Sequence, residues 1–141
     1  MDPTCTCYAL RKLARSVTRL YDQHLAAAGI KATQFALLRH VEHEALPITH
    51  LATLMGMERT TLTRNLRPLA DAGWVAQAAG KDARVRVITI TAEGRSKIRE
   101  AKAAWRKAQA ELEQALGDEG TKSLHAEIGF AMARVAPLLQ Q

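Results

Sequence analysis

A mainly α fold with a small β-hairpin wing, a winged helix-turn-helix flanked by long dimerisation helices, is what this chain predicts. Three observations between Ile48 and Thr91 carry that expectation. Leu51, Leu54 and Met55 give a short helix an apolar stripe, and Gly56 ends it, since glycine enters a left-handed turn without steric cost. Leu62, Leu66 and Leu69 then fall at i, i+4 and i+7 and share one buried face of a second helix. Gly73 closes that helix, and Trp74-Val75 and the β-branched run Val85 to Ile90 read as two strands joined by the polar tip Gly80-Lys81-Asp82-Ala83-Arg84.

In chain order, Tyr8 to Ala28 reads as a long helix. Leu10, Leu13, Val17, Leu20 and Tyr21 stripe one side, and Arg11, Lys12, Arg15 and Arg19 make the other basic. Gly29 ends it. Thr33 is the expected cap of a second helix from Gln34 to about His43, with Phe35, Leu38 and Val41 on its apolar side. Glu44 to Pro47 reads as a loop. In the helix-turn-helix itself, Thr60 or Thr61 is the expected cap of the second helix. Pro68 is expected either to bend its last turn or to end its regular part near Arg67, because proline lacks the N–H that would bond to Arg64. Thr91 caps a long helix from Ala92 to Leu116, where Ile98, Trp105 and Leu112 recur every seven residues as a narrow seam. Gly117 stops it. Asp118 caps a last helix to about Leu139, with Leu124, Ile128, Val135 and Leu138 on one side and Pro137 fraying its end.

The expected organisation is one domain over residues 1–141. Residues 1–30 and 117–141 supply dimerisation helices, 31–91 a winged helix-turn-helix, and 92–116 a connecting helix. A module of some 45 residues is marginal alone, so the flanking helices are expected to pack with a second copy. A two-fold homodimer would set two recognition helices roughly 34–36 Å apart on a pseudo-palindromic duplex. The alternative is a monomer with its terminal helices folded back.

With the leucines of the second helix buried, Arg59, Thr60, Thr63, Arg64 and Arg67 face outward. Arginine pairs with a guanine edge and threonine reaches a base or a phosphate, so this face suits the major groove of double-stranded DNA. Arg84 and Arg86 place charge on the wing, where a phosphate backbone or minor groove would lie. From Arg59 to Arg86 there are six basic residues against two acidic, a net +4 of the chain's +6. The competing readings are a solvated charged surface and a helical module that contacts protein.

Composition bounds the rest. At 48% hydrophobic the chain can build a core, and no apolar run approaches a membrane span. The start, Met1 to Cys7, has no basic-then-apolar segment, so a cytoplasmic protein with reduced thiols is expected. His24, His40, His43, His50 and His125 show no ligand spacing. No phosphate-binding glycine loop, nucleophile elbow or paired-carboxylate motif is present, so neither an enzyme nor a cofactor is expected. A pocket between the dimer helices and the DNA module would draw on Tyr21, His24 and Phe35, for which ordinary packing is the alternative role.

The whole chain resembles the MarR family of bacterial transcription regulators. The resemblance is sharpest at Arg59-Thr60-Thr61-Leu62-Thr63-Arg64-Asn65-Leu66, at Leu69-Ala70-Asp71-Ala72-Gly73-Trp74-Val75, and at Asp82-Ala83-Arg84 followed by Ile90-Thr91-Ala92-Glu93-Gly94. It implies a homodimer, usually a repressor, with the recognition helix in the major groove and the wing in the minor groove. It further implies that Arg84 is the wing-tip contact, that Asp82 orients it or nearby basic groups, and that an effector releases DNA: a small phenolic or other organic anion, or an oxidant. Cys5 and Cys7 are the chain's only cysteines. Cys7 and Tyr21, fourteen residues on, resemble the cysteine and tyrosine of the family's organic-hydroperoxide sensors. Arg11 and Ala32 stand where those sensors carry further tyrosines, and no late cysteine is present to resolve a sulfenic acid. A helix N-terminus favours the thiolate that peroxide attacks. Inert structural thiols, or a soft-metal pair aided by His24 or an acid, are the other readings of Cys5 and Cys7.

Overall fold

The computed structural model describes residues 4–140; Met1–Pro3 and Gln141, the outermost residues of the two expected terminal helical segments, lie outside the described residues. Helix α1, Thr6–Leu25, runs into a single 3-10 turn at Ala26–Ala28 and is closed by Gly29 at φ 69°. Its C-terminal end, with Leu25 and Ala28 buried, packs on the body, while Ala9 to Ser16 is exposed on every side.

Helix α2, Ala32–His40, begins one residue before the expected Thr33 cap and ends three before His43. Two side chains replace that cap. The Asp22 carboxylate accepts the Ala32 N–H at 2.7 Å, and the Gln34 amide oxygen accepts the Lys31 N–H at 3.0 Å. The expected loop 44–47 contains a two-residue strand, β1, Leu46–Pro47. It pairs antiparallel with Ile88 and Val87.

Helix α3, Ile48–Met55, turns at Gly56, φ 63°, into helix α4, Arg59–Asp71. The N-cap position of α4 is Glu58, without a side-chain bond, so Thr60 and Thr61 sit inside the first turn and not at the cap. The helix also runs through Pro68 instead of stopping at Arg67. Fully buried Leu66 and Leu69 hold the turn on either side of the proline, whose own ring is exposed. Past Gly73, φ 79°, the Trp74 N–H returns to the Leu69 carbonyl at 2.9 Å.

Strands β2, Val75–Ala79, and β3, Arg86–Ile90, form the wing, and the sheet order is β1-β3-β2. Ile88 and Ile90 point into the core, Thr89 faces out, and Arg86, on the side of Ile88, is exposed where the strand leaves the core. Helix α5, Ala92–Val135, then leaves the wing. Thr91 fixes that junction: its hydroxyl donates to the Gly73 carbonyl at 2.6 Å and accepts the Gly94 N–H at 3.0 Å. Gly94 lies so close to the wing that an added Cβ would fall 2.2 Å from the Trp74 carbonyl oxygen. Gly117 breaks α5 at φ 72°, ψ 166°, a conformation open to glycine, as expected of a stop. Past Val135 the chain tightens into a 3-10 turn at Ala136–Leu139, where Pro137 lies.

One core joins these parts: Leu25, Phe35 and Leu38 meet Leu51, Leu62, Leu66 and Leu69, and Ile88 and Ile98 close it. The heptad positions of α5 divide between roles. Ile98, Ala101 and Ala108 are buried within the protomer, Trp105 stacks on Phe35, and Leu116 is exposed. Beyond Gly117, Ile128, Phe130, Met132, Val135, Leu138 and Leu139 are all exposed. Among the described residues no helix is long and apolar enough to cross a membrane.

Candidate nucleic-acid interface

Burial of Leu62, Leu66 and Leu69 turns the other side of α4 outward, and Arg59, Thr60, Thr63, Arg64 and Arg67 are all exposed on it. The Thr63 hydroxyl donates to the Arg59 carbonyl at 2.9 Å, so in this state it serves the helix backbone. Among the described residues no ion pair engages Arg59, Arg64, Arg67 or Arg86, and their guanidinium groups present free charge.

The wing tip is built differently. The Val85 N–H donates to the Asp82 carbonyl at 2.9 Å, and the Gly80 N–H to the Val85 carbonyl at 2.7 Å. The Asp82 carboxylate accepts the Arg84 N–H at 3.0 Å and the Arg84 Nε–H at 3.4 Å. One carboxylate thus folds the tip and restrains a side chain that is 91% exposed. Such a pair adds little stability in water, so its effect is orientation.

A cavity of about 400 Å³ opens between α1, α2 and α5. Tyr21 and Phe35 line it, with Arg39, His40 and Trp105, which sequence reasoning did not assign to a pocket. The helical steps Val17-Tyr21 and Phe35-Arg39 hinted at shared faces, but the Trp105 wall comes from 70 residues downstream of Phe35 and had no local signal. Arg39 is held by Glu42 at 3.2 Å, and Lys102 of α5 lies 3.8 Å from the same carboxylate. His24 is not among the lining residues; its Nε2 lies 2.6 Å from Glu111 Oε2. The Tyr21 hydroxyl donates to the Gln109 side-chain oxygen, and Gln109 in turn donates to Glu113 at 2.7 Å. Burial, and then the charge of Glu113, raise the Tyr21 hydroxyl above the ordinary tyrosine pKa.

Cys5 and Cys7 are both free thiols. Cys5 occupies the N-cap position of α1, half-buried, and Cys7 is exposed in the first turn, so within the protomer Cys7 is not a buried hydrophobe. On one straight helix Cys7 and Tyr21 are roughly 21 Å apart, so they do not meet within one protomer. Among the described residues no three His, Cys, Asp or Glu side chains cluster as a metal site.

A helix-turn-helix, a wing beside it and an unpaired arginine face define the winged-helix class of transcription regulators. A MarR family model matches residues 28–85. The M. tuberculosis transcriptional regulator MosR, in a crystal structure with DNA, is 37% identical over 92% of this chain and 97% of that one, with a TM-score of 0.81. The chain belongs to the MarR family. An uncharacterized HTH-type transcriptional regulator of Bacillus subtilis, YwoH, is 25% identical over 79% of this chain and 82% of its own length. A mutant MarR from E. coli complexed with operator DNA shares the fold at 20% identity and a TM-score of 0.81, covering 89% of this chain and 91% of that one.

Proposed function

We propose that the chain is a homodimeric, sequence-specific DNA-binding repressor that acts by binding and not by catalysis. The observation that carries this reading is the unpaired arginine face of α4 beside the exposed Arg84 wing tip, on a chain 37% identical to a regulator crystallised with DNA. Arg59, Thr60, Thr63, Arg64 and Arg67 read the major groove, Arg84 and Arg86 hold the backbone or minor groove, and Asp82 aims Arg84. Residues 1–30 and 117–141 form the dimer, 31–91 the DNA-binding region and 92–116 the connection. The exposed apolar side chains beyond Gly117, with Leu10 and Leu13 of α1, support the pairing. A partner copy removes that surface from water.

Two inputs for release have support. The cavity walled by Tyr21, Phe35, Trp105 and Arg39 suits a small organic anion with an aromatic ring. The exposed Cys7 at a helix start suits oxidation: the thiolate attacks a hydroperoxide oxygen, the S–O bond forms as O–O breaks, and the alkoxide leaves as an alcohol. The sulfenic acid could then condense with Cys5 or a partner's thiol, releasing water.

Selection from random duplexes with the reduced protein tests both. An enriched palindrome lost after mild organic hydroperoxide, but retained by Cys7→Ser, is the expected result for the redox input. A palindrome indifferent to oxidant points to the cavity. No enrichment, with no salt-dependent affinity for duplex DNA, overturns the proposal and favours a protein-contact module.

A further inference from the structure

Lys97, in the second turn of α5, has its side chain only 18% exposed. Three separate parts of the fold meet its ammonium. It donates to the Ala28 carbonyl at 2.7 Å, at the end of the turn that joins α1 to α2. It pairs with Glu100 on its own helix at 3.0 Å. It lies 5.4 Å from the centroid of the Trp74 ring, the residue between α4 and the wing. The Ala28 carbonyl precedes Gly29, whose left-handed conformation turns the chain there. A cleft runs beside this point between Asp22, Gly29 and Gln34 on one side and Pro68, Ala72 and Trp74 on the other. The ammonium therefore bridges the end of α1 to the start of the wing at an open seam.

We propose that Lys97 is a positioning residue for DNA recognition, setting the angle between the α1–α5 frame and the α4–wing head through its simultaneous hold on the Ala28 carbonyl and the Trp74 ring. A carbonyl oxygen and an aromatic face are both electron-rich and both prefer the same cation between them. Neutralising the ammonium leaves the carbonyl and the ring without their shared partner. The head then rotates more freely about the Thr91 junction. Base contacts of each head are expected to persist, because Lys97 touches Ala28, Glu100 and Trp74 and none of the outward arginines of α4. The separation of two heads is affected, because each angle contributes to it.

This inference rests on the proposed two-headed binding, so its test has one arm that involves DNA and one that does not. In the first, duplexes carrying two selected half-sites at spacings varied by single base pairs are titrated with wild type, Lys97→Met and Lys97→Arg. Lys97→Met is expected to keep the half-site sequence preference but flatten the spacing profile, losing about tenfold in preference for the best spacing. Lys97→Arg, which retains a donor and a ring-facing cation, is expected to restore the narrow profile. In the second, spin labels at exposed Gln77 on the wing and Ala110 on α5, in a Cys5→Ser/Cys7→Ser background diluted with unlabelled protein, report the intraprotomer distance distribution. Lys97→Met is expected to broaden it, and the exposed change Glu100→Ala to broaden it less. Distributions that superimpose for wild type, Lys97→Met and Glu100→Ala overturn the inference whether or not any duplex binds. So does a uniform affinity loss at all spacings accompanied by a lowered Tm, which would make Lys97 a stability residue only. A wild type that binds no duplex, with the broadening present, would remove the two-headed reading and the role in DNA recognition with it, leaving only the restraint on the angle.

Discussion

Arg64 and Arg84 carry the same charge in different settings, and they should fail differently. Arg64 stands unpaired on a rigid helix face, so Arg64→Ala is expected to lose about 1–3 kcal/mol of discrimination at one base position, as a major-groove contact does. Arg84 is restrained by Asp82 at an exposed tip, so Arg84→Ala should weaken binding to all duplexes and lower the salt slope by about one, with little change in preference. Competition titrations on selected and shuffled duplexes separate the two, and equal losses for both variants would exclude base reading by Arg64. Tyr21 offers a readout within the fold. Its pKa is raised in the folded state by burial and by Glu113, so it favours the neutral phenol. That contribution to stability is present below the unfolded pKa near 10 and is lost as pH rises through the folded value. Phenolate absorbance should therefore show a late component that Tyr21→Phe removes.

The joint between wing and α5 is the element most sensitive to one atom. Gly94→Ala puts a methyl group against the Trp74 carbonyl, backbone that cannot step aside, and should destabilise by on the order of 1–3 kcal/mol or unfold the wing. Thr91→Val removes a cap and the bond to Gly73, and should lower stability by about 1 kcal/mol. Denaturant midpoints check both, and a Gly94→Ala midpoint equal to that of the wild type would contradict the observed packing. The same joint shows what is legible in a sequence. Leu62, Leu66 and Leu69, Gly56, Gly73 and the β-branched run to Ile90 signal their elements because helix period, positive φ and strand alternation are local properties. The Leu46–Pro47 strand is not local: two residues become a strand only because Val87 and Ile88 pass beside them. The expected caps of α2 and α4 misled for a related reason, while Thr91 caps α5 as expected. Thr33, Thr60 and Thr61 have the right chemistry, but Asp22, distant in sequence, supplies the bond at α2, and α4 begins with no side-chain cap. The arginine face was readable from helix geometry alone, whereas the cavity needed Phe35 and Trp105 to meet, and His24 instead lies against Glu111.

For the whole molecule, the uneven distribution of apolar surface is the governing fact. The head is closed around one core, while the arm beyond Gly117 exposes Phe130 at 59% and Met132 at 67%. Ile128→Asp with Val135→Asp should leave the head folded by circular dichroism but shift sedimentation to the monomer and abolish preference for paired half-sites. A dimer unchanged by both substitutions would place the pairing surface elsewhere. The close approach of Gly94 to Trp74 gives this architecture a mechanical ratio. With strand and helix in close contact there, the hairpin swings with α5 as an outrigger, and Arg84 lies seven residues out from Thr91, roughly 23 Å of extended chain. A ten-degree roll of the helix sweeps that guanidinium through roughly 4 Å, more than the span of a hydrogen bond. A disturbance too small to unpack any side chain is thus large enough, at the outrigger's end, to lift a hand off the rail.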